Sequence, residues 1–289
     1  MLKYRAISFP LLMGLLAVIF FTSVGNWLFA FCAILTVGLA AYECARMVDS
    51  GLAPCFPKTA GLISAGFIGV TLLPILGGSR IGRLGWLLWM GLVIFGALLP
   101  WVVTVLGDAA TVKKGFATMG IVWAVIVPFG MVAVLYVPEP KYLLFVMLVT
   151  KAMDTGGYVF GMLSNELMPN GNHKLCPSIS PKKSWEGFAG GVFLALLTAW
   201  ALRAIFPGWD FSRALGAYAR WKELVLAVLL ALASIAGDLT ESALKRKCGV
   251  KDSGNLIPGM GGPLDVLDSF IYVGPVCLLY TMILRAFNL

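Results

Sequence analysis

The residues best suited to chemistry crowd into one stretch, from Gly237 to Ser269. On a helix, Asp238, Glu241, Ser242 and Lys245 would share one face at i, i+3, i+4 and i+7. Arg246, Lys247, Lys251 and Asp252 follow, then a glycine-rich turn containing Gly254, Gly259, Gly261 and Gly262. Asp265 and Asp268 come next, three residues apart, where the final apolar run begins. Several carboxylates gathered in one stretch suit a hard divalent ion such as Mg²⁺, which takes oxygen ligands and shares them with substrate phosphates. The glycine turn could bring the carboxylate pairs together and leave backbone N–H groups for phosphate. The competing reading is a set of salt bridges to Lys245, Arg246, Lys247 and Lys251. Such a purely structural network is expensive at a membrane boundary, which favours a site.

Two further segments carry polar chemistry. His173-Lys174-Leu175-Cys176-Pro177-Ser178-Ile179-Ser180-Pro181-Lys182-Lys183-Ser184-Trp185-Glu186-Gly187 sets hydroxyl and lysine donors around two prolines. Such donors could hold a polyphosphate through charge-assisted hydrogen bonds, or could simply form a basic cytoplasmic loop. His173, the only histidine, could act as a general base, although a lone loop histidine is more often a phosphate contact. Asp154-Thr155-Gly156-Gly157-Tyr158 lies within an apolar run, one turn after Lys151. Lys151 and Asp154 could neutralise each other at i, i+3, while the glycines allow close approach of backbone or ligand.

The elements that must position these groups are membrane helices. Hydrophobic residues make up 60% of the 289 positions and charged residues 12%, and mean hydropathy is +0.90. Soluble domains carry about 25% charged residues, so lipid must solvate much of this surface. Nine runs approach the roughly 20 residues a span needs: Ile7–Ser23, Trp27–Cys44, Thr59–Leu76, Leu84–Leu106, Phe116–Val137, Tyr142–Leu163, Phe188–Phe206, Leu224–Leu244 and Ser269–Phe287. The first two are short, so eight spans is the fallback. Gly25-Asn26, Pro54–Pro57, Gly77-Gly78 and Pro138–Pro140 punctuate the runs as turn signals. The expected fold is an all-α, polytopic membrane helical bundle of eight to nine transmembrane helices. Within this one continuous membrane domain, residues 1–140 read as scaffold spans and 141–289 as the catalytic region.

Placing the N-terminus in the cytoplasm puts thirteen Lys and Arg on that side against eight opposite, with Lys151 inside a span. That bias obeys the positive-inside rule and sets loops 164–187 and 245–268 in the cytosol. The net charge of +8 then serves anionic headgroups rather than nucleic acid. The six cysteines form no CxxC pair and read mostly as small hydrophobes. A cleavable leader is not expected, because the first apolar run lacks a convincing small-residue cleavage site. No internal repeat argues for an inverted-repeat transporter.

Three motifs in this order resemble the phosphatidate cytidylyltransferases, or CDP-diacylglycerol synthases. Their signature, S-x-x-K-R-x4-K-D-x-[GSA]-x2-[LIF]-[PG]-x-H-G-G-x-x-D-R-x-D, is matched by Ser242, Lys245, Arg246, Lys251, Asp252, Gly254, Pro258, Gly261, Gly262, Asp265 and Asp268. Met260 and Val266 stand in place of the signature His and Arg. His173 through Gly187 is similar to the family's H-K-L-x-P-x-I-S-P-K-K-[ST]-W-E-G, and Asp154-Thr155-Gly156 to its D-T-G-A-Y. Tyr42-Glu43 is weakly similar to an early motif. The strong resemblance covers residues 150–289.

The resemblance implies transfer of a cytidylyl group from CTP to phosphatidic acid, giving CDP-diacylglycerol and pyrophosphate. It assigns metal binding to Asp238, Asp265 and Asp268, with Glu241 second, for Mg²⁺ alone or with a second cation. Lys245 and Arg246 join those aspartates in catalysis. Asp154, His173, Lys174, Ser180, Lys182, Lys183, Ser184, Ser242, Lys251, Asp252, Gly261 and Gly262 are the expected substrate contacts. A multi-pass protein of the bacterial cytoplasmic (inner) membrane follows, and a homodimer is compatible with it. The rival readings are a CTP-dependent polyprenol or phytol kinase, and an ion-coupled transporter using Lys151 and Asp154.

Overall fold

Backbone in lipid must satisfy its own N–H and C=O groups, so apolar runs of this length are expected as helices. The computed structural model describes residues 14–15, 17–22, 24–72, 107–136, 140–206, 208–209, 220–257 and 261–287. Its elements are α1 (Gly25–Gly51), α2 (57–72), α3 (Ala109–Tyr136), α4 (Pro140–Leu167), β1 (Lys174–Cys176), β2 (Ser180–Ser184), α5 (Trp185–Ile205), α6 (Arg220–Lys247), α7 (Pro263–Leu267) and α8 (Phe270–Ala286). Among the described residues, six helices are long and apolar enough to cross a membrane: Gly25–Gly51, Ala109–Val132, Pro140–Leu167, Trp185–Ile205, Trp221–Lys247 and Pro263–Ala286. The protein is therefore a multi-pass helical membrane bundle. Of the other three expected spans, Leu84–Leu106 lies outside the described residues, as does most of Ile7–Ser23, and Thr59–Leu76 is described as helix only to residue 72. Trp27, Phe31 and Trp200 are exposed, as lipid-facing aromatics are.

The chain divides into two compact units, one over Met1–Val137 with Lys245–Leu267, the other over Pro138–Leu244 with Asp268–Leu289. In the first unit, α1 and α2 meet at small residues. A Cβ added to Gly38 would lie 2.9 Å from Ala65 Cβ, and one on Gly61 would lie 3.1 Å from Tyr42 Cβ. Absent side chains let the backbones approach, which is how helices associate in lipid. The Phe56 N–H donates to Thr118 Oγ1 of α3 at 2.9 Å, and Phe67 meets Trp123 edge to face. The end of α6 belongs to this unit. Gly249, at φ +72°, stops the helix in a Schellman arrangement, with its N–H on the Arg246 carbonyl and the Val250 N–H on the Lys245 carbonyl.

In the second unit, α4 and α5 pack through facing glycines. A Cβ on Gly156 would lie 2.8 Å from the Gly190 oxygen, and one on Gly187 would lie 2.6 Å from the Gly157 oxygen. Between these helices the loop forms a small antiparallel hairpin, β1 with β2, pairing Lys174 with Ser184 and Cys176 with Ser180. The hairpin is an addition to the all-α expectation. Pro177 and Pro181 bar a helix there, since proline lacks the N–H and clashes with the preceding turn. Ser184 then opens α5 as its N-cap, its Oγ accepting from the Gly187 N–H at 3.1 Å.

Candidate functional site

The first unit holds the basic end of α6 and the glycine-rich loop. Lys245 Nζ lies 2.9 Å from Asp265 Oδ1, and both side chains are largely buried. The other contacts of Asp265 are backbone: the Ser253 N–H reaches its two oxygens at 3.2 and 3.0 Å, and the Gly262 N–H reaches Oδ2 at 2.8 Å. Gly261 adopts φ +89°, and a Cβ there would run into the Asp265 carboxylate, so glycine is required for both reasons. Arg246, Lys251 and Asp252 are exposed around this loop. Met260 lies outside the described residues, while Val266 sits in the short helix α7.

Glu43 completes this arrangement. It projects from α1, is 7% exposed, and its Oε2 accepts from the Leu264 N–H at 3.1 Å and the Ser253 hydroxyl at 3.3 Å. A Cβ on Gly254 or on Gly262 would collide with its carboxylate. Sequence reasoning did not place Glu43 in the site. The available signals were a carboxylate at the end of an apolar run and the weak Tyr42-Glu43 likeness.

The second unit holds a different cluster. Asp154 binds three partners: Ser234 Oγ donates to Oδ1 at 2.7 Å, and Ser269 Oγ and Lys151 Nζ reach Oδ2, each at 2.9 Å. The Lys151–Asp154 pair read from the sequence therefore forms, and Lys151 also lies 5.4 Å from the Phe270 ring centre, within cation–π range. Asp268 accepts from the Ser269 N–H at 2.6 Å, with Ser269 Oγ 3.0 Å away. The single hydroxyl proton of Ser269 can serve Asp154 or Asp268, not both. Asp238 pairs with Lys183 Nζ at 2.8 Å as an ion pair rather than an aligned hydrogen bond, and accepts from Ser242 Oγ at 3.3 Å. The charge of Asp268 faces those of Asp238 and Asp154, with Lys151 as the nearby cation. A Cβ on Gly237 would strike the Asp268 carbonyl oxygen, so this glycine is what lets α6 and the start of α8 approach.

On the hairpin, the strand period of two sends neighbouring lysines to opposite sides. Lys182 points to the exterior while Lys183 turns inward to Asp238. His173 is largely exposed, with Nδ1 held at 2.7 Å by Glu186 Oε1; its backbone N–H also donates to that carboxylate. Lys174 Nζ donates to Asn172 Oδ1 at 2.7 Å. Ser180 is half-buried at the start of β2, Ser184 is buried as the cap of α5, and Glu241 is buried on α6. Among the described residues, no three His, Cys, Asp or Glu side chains gather at ligand distance of one point. Asp238 and Asp268 are neighbours by charge without forming such a group.

Comparison with known proteins agrees with these motifs. Residues 3–284 match the model of the Cytidylyltransferase family. A phosphatidate cytidylyltransferase of Staphylococcus saprophyticus is 44% identical over 135 residues, a match covering 47% of this chain and 46% of that relative. Phosphatidate cytidylyltransferases of Staphylococcus aureus and Staphylococcus epidermidis are 33% and 32% identical over 227 residues, 76% of this chain and 78% of each relative. With its motifs in order and the family model spanning nearly its whole length, the chain belongs to the cytidylyltransferase family of nucleotidyltransferases.

Proposed function

We propose that this protein is a phosphatidate cytidylyltransferase. The carrying observation is that the two most basic polar segments each set a lysine against an aspartate, Lys245 with Asp265 and Lys183 with Asp238. Lys245, Asp265 and Lys183 lie within the motifs that resemble the family, Asp238 lies four residues before Ser242 where the signature begins, and the relatives above carry that name. In the reaction, a phosphate oxygen of phosphatidic acid attacks the α-phosphorus of CTP. The bond from that phosphorus to the bridging oxygen breaks, and pyrophosphate leaves with its electron pair. The attacking oxygen is already anionic, so no strong base is needed. The barrier is repulsion between anions and charge building on the leaving group, which positioned cations and hydrogen-bond donors answer.

In this reading Lys245, Arg246, Lys251, Lys182 and Lys183 hold phosphates, while Ser180 and Ser242 donate hydrogen bonds. The Asp154, Asp238 and Asp268 carboxylates carry three negative charges beside the two ammonium groups of Lys151 and Lys183. An excess of carboxylate oxygen in partly buried positions fits a hard divalent cation. Asp238 and Asp268 would hold Mg²⁺, alone or with a second cation, and Glu241 and Asp265 are the further candidate ligands. Bound there, Mg²⁺ would supply neutralisation of phosphate charge.

The reading extends to eight or nine spans, to the bacterial cytoplasmic membrane and to cytosolic loops at 164–187 and 245–268. It also keeps residues 1–140 mainly as scaffold, 141–289 as the catalytic region, and a homodimer as one state of the protein. Purified protein given radiolabelled CTP, Mg²⁺ and phosphatidic acid should form CDP-diacylglycerol on thin-layer analysis. No CDP-lipid, under conditions where a standard family member works, would sink the proposal. A lipid phosphate product would point instead to a kinase.

A further inference from the structure

Resting on that reading, we propose that Glu43 is a positioning residue for cytidylyl transfer. It braces the glycine-rich segment that leads into Asp265, the partner of Lys245. Ser253 and the segment from Gly262 to Leu264 are held between two carboxylates. Asp265 binds the Ser253 and Gly262 N–H groups, and Glu43 binds the Ser253 hydroxyl and the Leu264 N–H. Ser253 is thus gripped from both sides, by its backbone and by its side chain. Gly254 and Gly262 lie so near Glu43 that a side chain on either would displace it. Glu43 reaches these partners from α1, 210 residues before Ser253 and 221 before Leu264. Removing the brace would free the loop segment that meets Asp265, and Asp265 in turn orients Lys245.

Length matters more than charge alone. Aspartate is one methylene shorter and cannot reach Ser253 and Leu264 together from the same backbone position. Glutamine keeps the length and one acceptor oxygen. Loss of position without loss of fold should therefore appear as a graded series of rates.

The experiment compares full-length wild type with Glu43→Asp, Glu43→Gln, Ser253→Ala and the Glu43→Asp/Ser253→Ala double variant in the same detergent. Glu43→Asp should lower kcat about tenfold to a hundredfold, as small misplacements do. Its KM values, melting temperature and CTP-binding stoichiometry should stay close to wild type. Glu43→Gln should recover part of the rate, and the double variant should be no slower than Glu43→Asp alone, because both changes cut one connection. An unchanged kcat in Glu43→Asp would overturn the proposal. So would a kcat loss that simply follows a fall in melting temperature, or single-variant losses that multiply. Hydrogen exchange separates this inference from the functional reading. Peptides covering Ser253 and Leu264 should exchange faster in Glu43→Asp while the rest of α1 is unchanged, whatever the wild-type product proves to be. Unchanged exchange there would refute the brace even if CDP-lipid forms.

Discussion

The two lysine–aspartate clusters look alike in sequence and differ in how fully their carboxylates are satisfied. Asp265 accepts from Lys245 and from two backbone N–H groups, so its negative charge is matched in place. Asp268 shares one serine hydroxyl with Asp154 and faces Asp238, so its charge is crowded rather than matched. A matched, buried pair behaves as part of the framework, and removing one partner is costly. A crowded carboxylate without a cation of its own is poised for an incoming cation or a positively clamped substrate. The contrast separates holding from acting within a single signature.

The largest effect expected from this contrast is on folding. Lys245→Met should destabilise the protein by about 3–5 kcal/mol, because Asp265 would be left buried without its cation. A detergent unfolding curve checks this, and a loss well under 1 kcal/mol would erase the distinction between the clusters. Asp268→Asn should act on rate instead, lowering CTP-dependent turnover by about 10²–10³-fold. Its thermal midpoint should hold or rise, since repulsion from Asp238 and Asp154 is relieved. A clear drop in midpoint would move Asp268 into the framework class.

Asp265→Asn is the informative intermediate. It should lose both activity and stability, and a fully stable but inactive Asp265→Asn would show that this carboxylate acts rather than holds. Gly187→Ala should cost about 1–3 kcal/mol by overpacking against the Gly157 carbonyl, measurable by the same unfolding curve. The smallest effect is at the hairpin. Ser184→Ala removes the N-cap of α5 and should cost about 1 kcal/mol. If it instead abolished turnover with stability intact, Ser184 would belong with the substrate contacts.

Much of this architecture was legible beforehand. Runs such as Tyr142–Leu163 and Phe188–Phe206 became α4 and α5 because apolar length and internal hydrogen bonding leave a chain in lipid few alternatives. The Lys151–Asp154 pair was readable because i, i+3 spacing is a local property of a helix. The hairpin was not read, since a polar proline-bearing loop has no period that distinguishes three paired residues from an irregular turn.

The sequence by itself determined the membrane class and the chemical inventory, because hydropathy and residue type act locally and motifs keep their order along the chain. Tertiary structure alone decided which charges are satisfied. Ser234 lies 80 residues from Asp154, Ser269 lies 115 from it, and Leu264 lies 221 from Glu43. Helical periodicity says which residues share a face, but not which distant face they will meet. Whether a carboxylate holds a loop or waits for a cation depends on that meeting.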